Sequence, residues 1–319
     1  MSKPRILALD GLRGAAVVAM IVYHFSWDLS WFGHVGWNVS QDPLWKLFAA
    51  SIAGTFLFVA GISLSLAHRQ AIRWRAFLHR EAIIVTAALA VSVATYFAFQ
   101  SSFVRFGILH AIAAASLIAL PFTQLPAAIA LLAAIFTATL PLWASGPAFD
   151  GQWLLWTGLG QPLYGAVDYV PLAPWSALTL FGVAVGTKIA GKAETPWLSG
   201  SAWGNAIGTR LCLLGRHSLA IYLLHQPLLY GLVWAVSATG LTPDRSVAIF
   251  VRDCTSSCTS TFGDEAVCRA SCECTTGKLQ EQGVWADLVA NAQDPDLRLA
   301  LNETYSQCLR QTPPDPASD

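Results

Sequence analysis

Apolar residues along this chain gather into runs near 13–31, 44–67, 81–100, 104–121, 125–144, 172–190 and 211–238, with short polar stretches between them. Each run is close to the roughly 20 residues that an α-helix needs to cross a bilayer. An eighth, half-buried segment fits around Trp153–Leu159. The predicted fold is therefore all-α, a polytopic transmembrane helical bundle of about seven or eight spans whose partner is the lipid bilayer. The first run is followed by further spans and by no cleavage-site pattern, so it reads as a span and not as a removable signal.

The pattern changes near Gly240. From Leu241 onward the chain carries 6 Lys and Arg against 12 Asp and Glu, a net of −6. The whole chain is neutral, so the first 240 residues hold a net of +6. We accordingly divide the chain into a transmembrane domain at 1–240 and a cysteine-rich helical tail at 241–319. Charged residues are 12% of the total, about half the usual share for a soluble domain.

The basic residues also orient the predicted bundle. His68-Arg69-Gln70-Ala71-Ile72-Arg73-Trp74-Arg75 and Arg80 place four arginines between the second and third runs, which marks the cytoplasmic side. Lys3, Arg5, Lys188, Lys192 and Arg210 fall on that side when the spans are counted alternately. The stretches 32–43 and 145–171 contain no Lys or Arg, and only Lys46 and Arg105 are placed at outer ends. The N-terminus is thus expected in the cytoplasm and the tail in the periplasm of a bacterial inner membrane.

Six of the seven cysteines, Cys254, Cys258, Cys268, Cys272, Cys274 and Cys308, lie in the tail. Outside the cytoplasm they would form disulfides, and so small a domain often needs them. Two C-x3-C pairs nine residues apart suit two short antiparallel helices, because positions i and i+4 share a face. The pairing this suggests is Cys254–Cys272, Cys258–Cys268 and Cys274–Cys308, one of fifteen. Zinc is the rival reading, but the C-x2-C spacing of a zinc ribbon is missing; no metal site is expected.

Ionisable side chains inside spans are costly and are functional candidates by default. Asp10 and Arg13, three apart, can pair on one helical face, either as a charge-paired anchor or as an inward-facing site for an anionic cofactor. His24 and Asp28, four apart, also share a face, and a carboxylate beside an imidazole raises its basicity as a general base requires. His24 lies about 16 Å beyond Arg13 along a helix. His34 follows just outside the span. His110 and His225 fall at the level of His24 under alternating topology, so convergence of the histidines is a hypothesis. The loop 145–175 holds Trp153, Trp156, Tyr164, Tyr169 and Trp175 with Asp150 and Asp168. It reads either as interfacial anchors or as a platform for a sugar.

No phosphate-binding loop, dinucleotide fingerprint, zincin pattern or nucleophile elbow is present, and the basic groups form no nucleic-acid patch. A transporter or channel would use the same buried His and Asp groups as a substrate or proton path; no inverted repeat or broken pair of spans supports it. A thiol oxidoreductase would need a C-x-x-C that the chain lacks.

At Leu9-Asp10-Gly11-Leu12-Arg13-Gly14 and Tyr23-His24-Phe25 the chain resembles the transmembrane acyltransferase superfamily. That superfamily includes the heparan-alpha-glucosaminide N-acetyltransferase family and, more distantly, the acyltransferase-three family. His34-Val35-Gly36-Trp37-Asn38 and Phe58-Val59-Ala60-Gly61-Ile62-Ser63-Leu64-Ser65 are closer to the heparan type. Three more segments are similar to a small bacterial branch of it: Arg105–His110, Asp168–Trp175 and Gly215–Gln226. A tail with C-x3-C pairs also occurs in that branch.

The resemblance implies an acyltransferase that takes an acetyl group from cytoplasmic acetyl-CoA to an extracytoplasmic acceptor, a sugar or glycan hydroxyl or amine. His34 occupies the catalytic position of the heparan type and His24 that of the acyltransferase-three type. Asp28 would orient His24, and Asn38 would donate to the developing oxyanion. Asp10, Arg13, Arg69, Arg73, Arg75 and Arg80 would serve the cofactor end, and His110, Asp168, Tyr169 and His225 would line the cavity.

Overall fold

The computed structural model describes residues 6–99, 102–161, 166–189, 205–239 and 246–311. Lys3, Arg5, Lys192, Tyr164 and the join near Gly240 lie outside them. The described residues form an all-helical protein: α1 (Leu7–Trp31), α2 (Pro43–His68), α3 (Trp74–Phe99), α4 (Ile108–Ala119), α5 (Ala127–Trp143), α6 (Leu172–Ile189), α7 (Ala206–Arg216), α8 (Ser218–Ala238), α9 (Ser246–Phe262), α10 (Glu265–Glu281), α11 (Trp285–Ala290) and α12 (Pro295–Gln311).

Of these, α1, α2, α3, α6 and α8 are long and apolar enough to cross a membrane, and α4 and α5 are shorter apolar helices. The run 104–121 yields only 12 helical residues, about 18 Å of rise. Its first residues are extended, with an isolated bridge from Phe106 to Tyr169. At its far end Pro121 opens a 3-10 turn, since a proline has no N–H to continue the ladder. The run 211–238 divides at His217, which caps α7 just before α8 begins. Around Trp153 the chain forms a 3-10 turn, Gln152–Thr157.

Two compact units divide the chain: Met1–Phe25 with Ser40–Leu229, and Ser26–Val39 with Tyr230–Asp319. In the first, α6 packs on α2, α4 and α5. Gly61 of α2 and Gly182 of α6 make the central crossing. A Cβ on Gly61 would strike the Thr179 carbonyl, and one on Gly182 the Phe58 carbonyl. Small residues let helix backbones approach where lipid provides no hydrophobic drive between helices. Leu180, Val183, Leu64 and Phe77 fill one core beside this crossing, and Leu57, Ile108, Val170 and Leu172 fill another.

In the second unit, α9 and α10 are joined by Cys254–Cys272 and Cys258–Cys268, and α12 is tied to α10 by Cys274–Cys308. This is the pairing that the spacing suggests. Asp264 caps α10 by accepting the Val267 N–H at 3.1 Å. Leu279, Trp285 and Leu288 form the small core. So thin a core needs covalent help, because a domain this size buries too little apolar surface to offset the ordering of its chain.

Candidate active site

In the first unit, the Leu9–Gly14 and Gly215–Gln226 segments meet. Asp10 is 8% exposed. Its Oδ1 lies 3.2 Å from Arg13, and its Oδ2 lies 3.5 Å from Arg216. Arg13 also donates to the Ser63 hydroxyl. Gly14 lets the Leu211 carbonyl approach α1, and Gly215 lets the Asp10 carbonyl approach α7. The motif thus builds a charge-paired crossing of α1 on α7. Arg80 pairs with the buried Glu81 and reaches Ser116. Arg69, Arg73 and Arg75 are exposed and make no ion pair among the described residues.

His24 and His225 are in edge contact, their ring centroids 4.9 Å apart. The His225 Nδ1–H donates to the Tyr222 carbonyl at 2.7 Å, and its buried Nε2 has no hydrogen-bond partner among the described residues. Tyr23 packs on His24, Trp45 and Phe48. Asp168 interacts electrostatically with both Tyr23 and Tyr222.

The two other cavity candidates, with His110, have evident structural duties. Asp168 Oδ2 accepts the Ile108 N–H at 3.0 Å, which satisfies one orphan donor at the start of α4. Burial pushes its carboxyl up to about 6, against the restraining Ile108 N–H. The Tyr169 hydroxyl donates to the Leu155 carbonyl at 2.8 Å, while burial raises that phenol above its ordinary range. His110 Nδ1 accepts the Gly107 N–H at 3.3 Å. Ser92 gives its own proton to the Val104 carbonyl, so His110 Nε2–H donates to Ser92 at 3.3 Å. Of the aromatic loop, Trp153 is 91% exposed, whereas Trp175 packs against the α2–α4 core.

In the second unit, α1 closes on Gly33 with φ +76°. The His34 N–H bonds the Leu29 carbonyl at 2.8 Å, the long hydrogen bond of a helix-ending Schellman turn. That turn sets the direction in which His34 leaves the helix. The His34 Nε2 is 2.8 Å from the Ser237 hydroxyl. Ser237 gives its single proton to the Val233 carbonyl at 2.8 Å. With that bond made, His34 Nε2–H is the donor and Nδ1 keeps the lone pair. Beyond His34, the Trp37 carbonyl accepts from Ser30 at 2.6 Å and from Arg252 at 2.9 Å. The Gly36 carbonyl takes a second Arg252 bond, also at 2.9 Å. Asp28 is fully buried and Asn38 half-buried in this unit.

The structure thus groups His24 with His225 and sets His34 against Ser237. Gly33, Ser237, Arg216 and Arg252 escape the sequence reading. A glycine one step past an apolar run was the available signal for Gly33. Ser237 sits unmarked in an apolar run, and Arg252 looks like any surface arginine.

Among known families, the model of the heparan-alpha-glucosaminide N-acetyltransferase catalytic domain fits residues 5–227. No curated protein and no solved structure matches the chain. The matched stretch holds His24, His34 and His225, the Asp10–Arg13–Arg216 crossing and all of the five long apolar helices but the second half of α8. This membrane protein, with its acetyltransferase-type domain, belongs to the heparan-alpha-glucosaminide N-acetyltransferase catalytic family.

Proposed function

We propose that the protein moves an acetyl group from cytoplasmic acetyl-CoA to an amine or hydroxyl of an extracytoplasmic sugar or glycan, with His34 as general base. The observation that carries this is the His34–Ser237 hydrogen bond, which leaves Nδ1 as the basic nitrogen. The imidazole takes the proton of the acceptor, whose nitrogen or oxygen bonds the thioester carbonyl carbon. The carbon–sulfur bond then breaks, and the departing thiolate takes up a proton. Asn38, four residues on, supplies a donor for the oxyanion. Asp28 remains the candidate for orienting His24.

Exposed Arg69, Arg73 and Arg75 fit the phosphates of coenzyme A, with Arg80 and the Asp10–Arg13 pair at the same end of the chain's topology. The arginine-rich connection is then cytoplasmic, and the loop after α1 and the stapled tail face the periplasm of a bacterial inner membrane. Domain limits at 1–240 and 241–319 follow the charge change. The His24–His225 contact favours a second reading, in which His24 is the base and His225, Asp168 and Tyr169 border the acceptor.

The test uses purified full-length protein in detergent, radiolabelled acetyl-CoA and glucosamine as the acceptor probe. Wild type should transfer label, His34→Ala should lose at least a hundredfold, and His24→Ala should retain activity. Loss in His24→Ala alone transfers the role to His24. A wild type that neither binds nor consumes acetyl-CoA sinks the acetyltransferase reading in favour of a transport path.

A further inference from the structure

Two supports of His34 lie outside the stretch that defines the family. The match ends at residue 227, whereas Ser237 closes α8 and Arg252 stands on α9 of the tail. Arg252 donates through one terminal nitrogen to two consecutive carbonyls, Gly36 and Trp37, each at 2.9 Å. A third bond runs from Ser30 to the same Trp37 carbonyl. These carbonyls belong to the strand of chain between His34 and Asn38, the two residues assigned to the chemistry. Charge-assisted hydrogen bonds are about twice as strong as neutral ones, and two from one guanidinium fix direction as well as distance. The platform behind Arg252 is stiff, because Cys254–Cys272 begins two residues further on and Cys258–Cys268 one turn beyond.

We propose that Arg252 is a positioning residue for acetyl transfer, and that the disulfide-stapled tail exists in part to hold the His34–Asn38 loop in its working geometry. This rests on the reading of His34 as the base. Arg252 touches no reacting atom. It acts by keeping the loop where the His34 ring meets Ser237 and Asn38 meets the oxyanion. Misplacing such a group by about 1 Å can cost on the order of a hundredfold in rate. A tail that merely shielded the outer face would have no need of a cation on these two carbonyls.

The experiment compares full-length wild type with Arg252→Ala, Arg252→Lys and Arg269→Ala. Arg269 lies on the same tail and is bonded to Glu265 at 3.0 Å, so it controls for loss of one tail cation. Two quantities are read. One is acetyl transfer from labelled acetyl-CoA to glucosamine; the other is the rate at which diethyl pyrocarbonate modifies His34, followed by mass spectrometry. Arg252→Ala should lower kcat by roughly a hundredfold with KM for acetyl-CoA unchanged, and should raise His34 labelling several-fold. Arg252→Lys should recover most of both, since one ammonium can reach two adjacent carbonyls. Arg269→Ala should match wild type.

The proposal is overturned if His34 is labelled at the wild-type rate in Arg252→Ala, or if Arg269→Ala loses as much as Arg252→Ala. It is overturned too if Arg252→Lys is as impaired as Arg252→Ala. If Arg252→Ala does not fold, Arg252→Gln, which can donate to one carbonyl, is judged by the same criteria. The labelling readout needs no turnover. Failure of wild type to transfer acetyl therefore counts against the function and leaves the positioning question to be decided by labelling.

Discussion

The Nε2 of His34 donates to the Ser237 hydroxyl, which passes its own proton to the Val233 carbonyl 2.8 Å away. A relay of this kind has one direction. Ser237 has one proton, so the imidazole can carry its own on Nδ1 only where Ser237 gives up the Val233 carbonyl. The tautomer with a basic Nδ1 is thus favoured by a serine 203 residues away in sequence. Ser237→Ala removes the choice and leaves the ring free to rotate. We expect kcat for acetyl transfer to fall about three- to tenfold, in line with one hydrogen bond, with KM for acetyl-CoA unchanged. Steady-state kinetics on the purified variant check this, and an unaltered kcat would remove Ser237 from the mechanism.

Gly33 tests the same site from the other side. Its φ of +76° is a conformation where a Cβ costs about 1–2 kcal/mol. Gly33→Ala should either lower the stability by that much or open the turn that aims His34. Gly33→Asn should be milder, because asparagine tolerates the left-handed region. The discriminating measurement is activity at matched stability. Alanine should lose several-fold more acetyl transfer than asparagine, and equal losses in both would show that the turn does not aim the ring.

What could be read from the sequence follows from how local each signal is. A bilayer needs long apolar runs, so α1, α2, α3, α6 and α8 announce themselves. The 104–121 run misleads because hydropathy does not register Pro121 and the non-helical Val104–Gly107 segment that leave α4 only 12 residues. Tail disulfides were legible because C-x3-C places both sulfurs on one helical face. Asp10 and Arg13 were visible as a pair, yet Arg216 joins them from 206 residues further along. The same holds for His24 with His225, for His34 with Ser237, and for Gly36 with Arg252. Each link crosses the fold, and no periodicity or spacing in one chain records which helices are neighbours.

Asp168 gives a pH signature outside the spans. Its carboxyl titrates near 6 in the folded protein, against about 3.9 for a free aspartate. The folded state therefore holds its proton more tightly. The associated stability is fully present below about pH 4 and is lost as pH rises through about 6. Asp168→Asn keeps an oxygen for the Ile108 N–H and never ionises. It should be more stable than wild type at pH 7.5, on the order of 1–2 kcal/mol, with the advantage vanishing below about pH 4. Thermal unfolding across pH 4–8 in one detergent would show it, and a pH-independent difference would mean that the carboxyl ionises normally.

The α2–α6 crossing is the place where the first unit should be most sensitive to a single methyl group. Gly61 and Gly182 face one another, and an added Cβ on either meets a backbone carbonyl of the other helix. A carbonyl cannot rotate away as a side-chain tip can, so the helices must separate. Gly182→Ala should destabilise by roughly 1–3 kcal/mol, the usual cost of overpacking. The loss should reach both cores, because Leu180 and Val183 of α6 belong to one and Leu57 of α2 to the other. Gly277→Ala, where an added Cβ meets nothing within 4 Å, serves as the control. It replaces a helical glycine by a better helix former and should leave the thermal midpoint equal or higher. If Gly182→Ala were as harmless, the helices would be crossing at a wider separation than the one described, and the cores beside them would owe nothing to the two glycines.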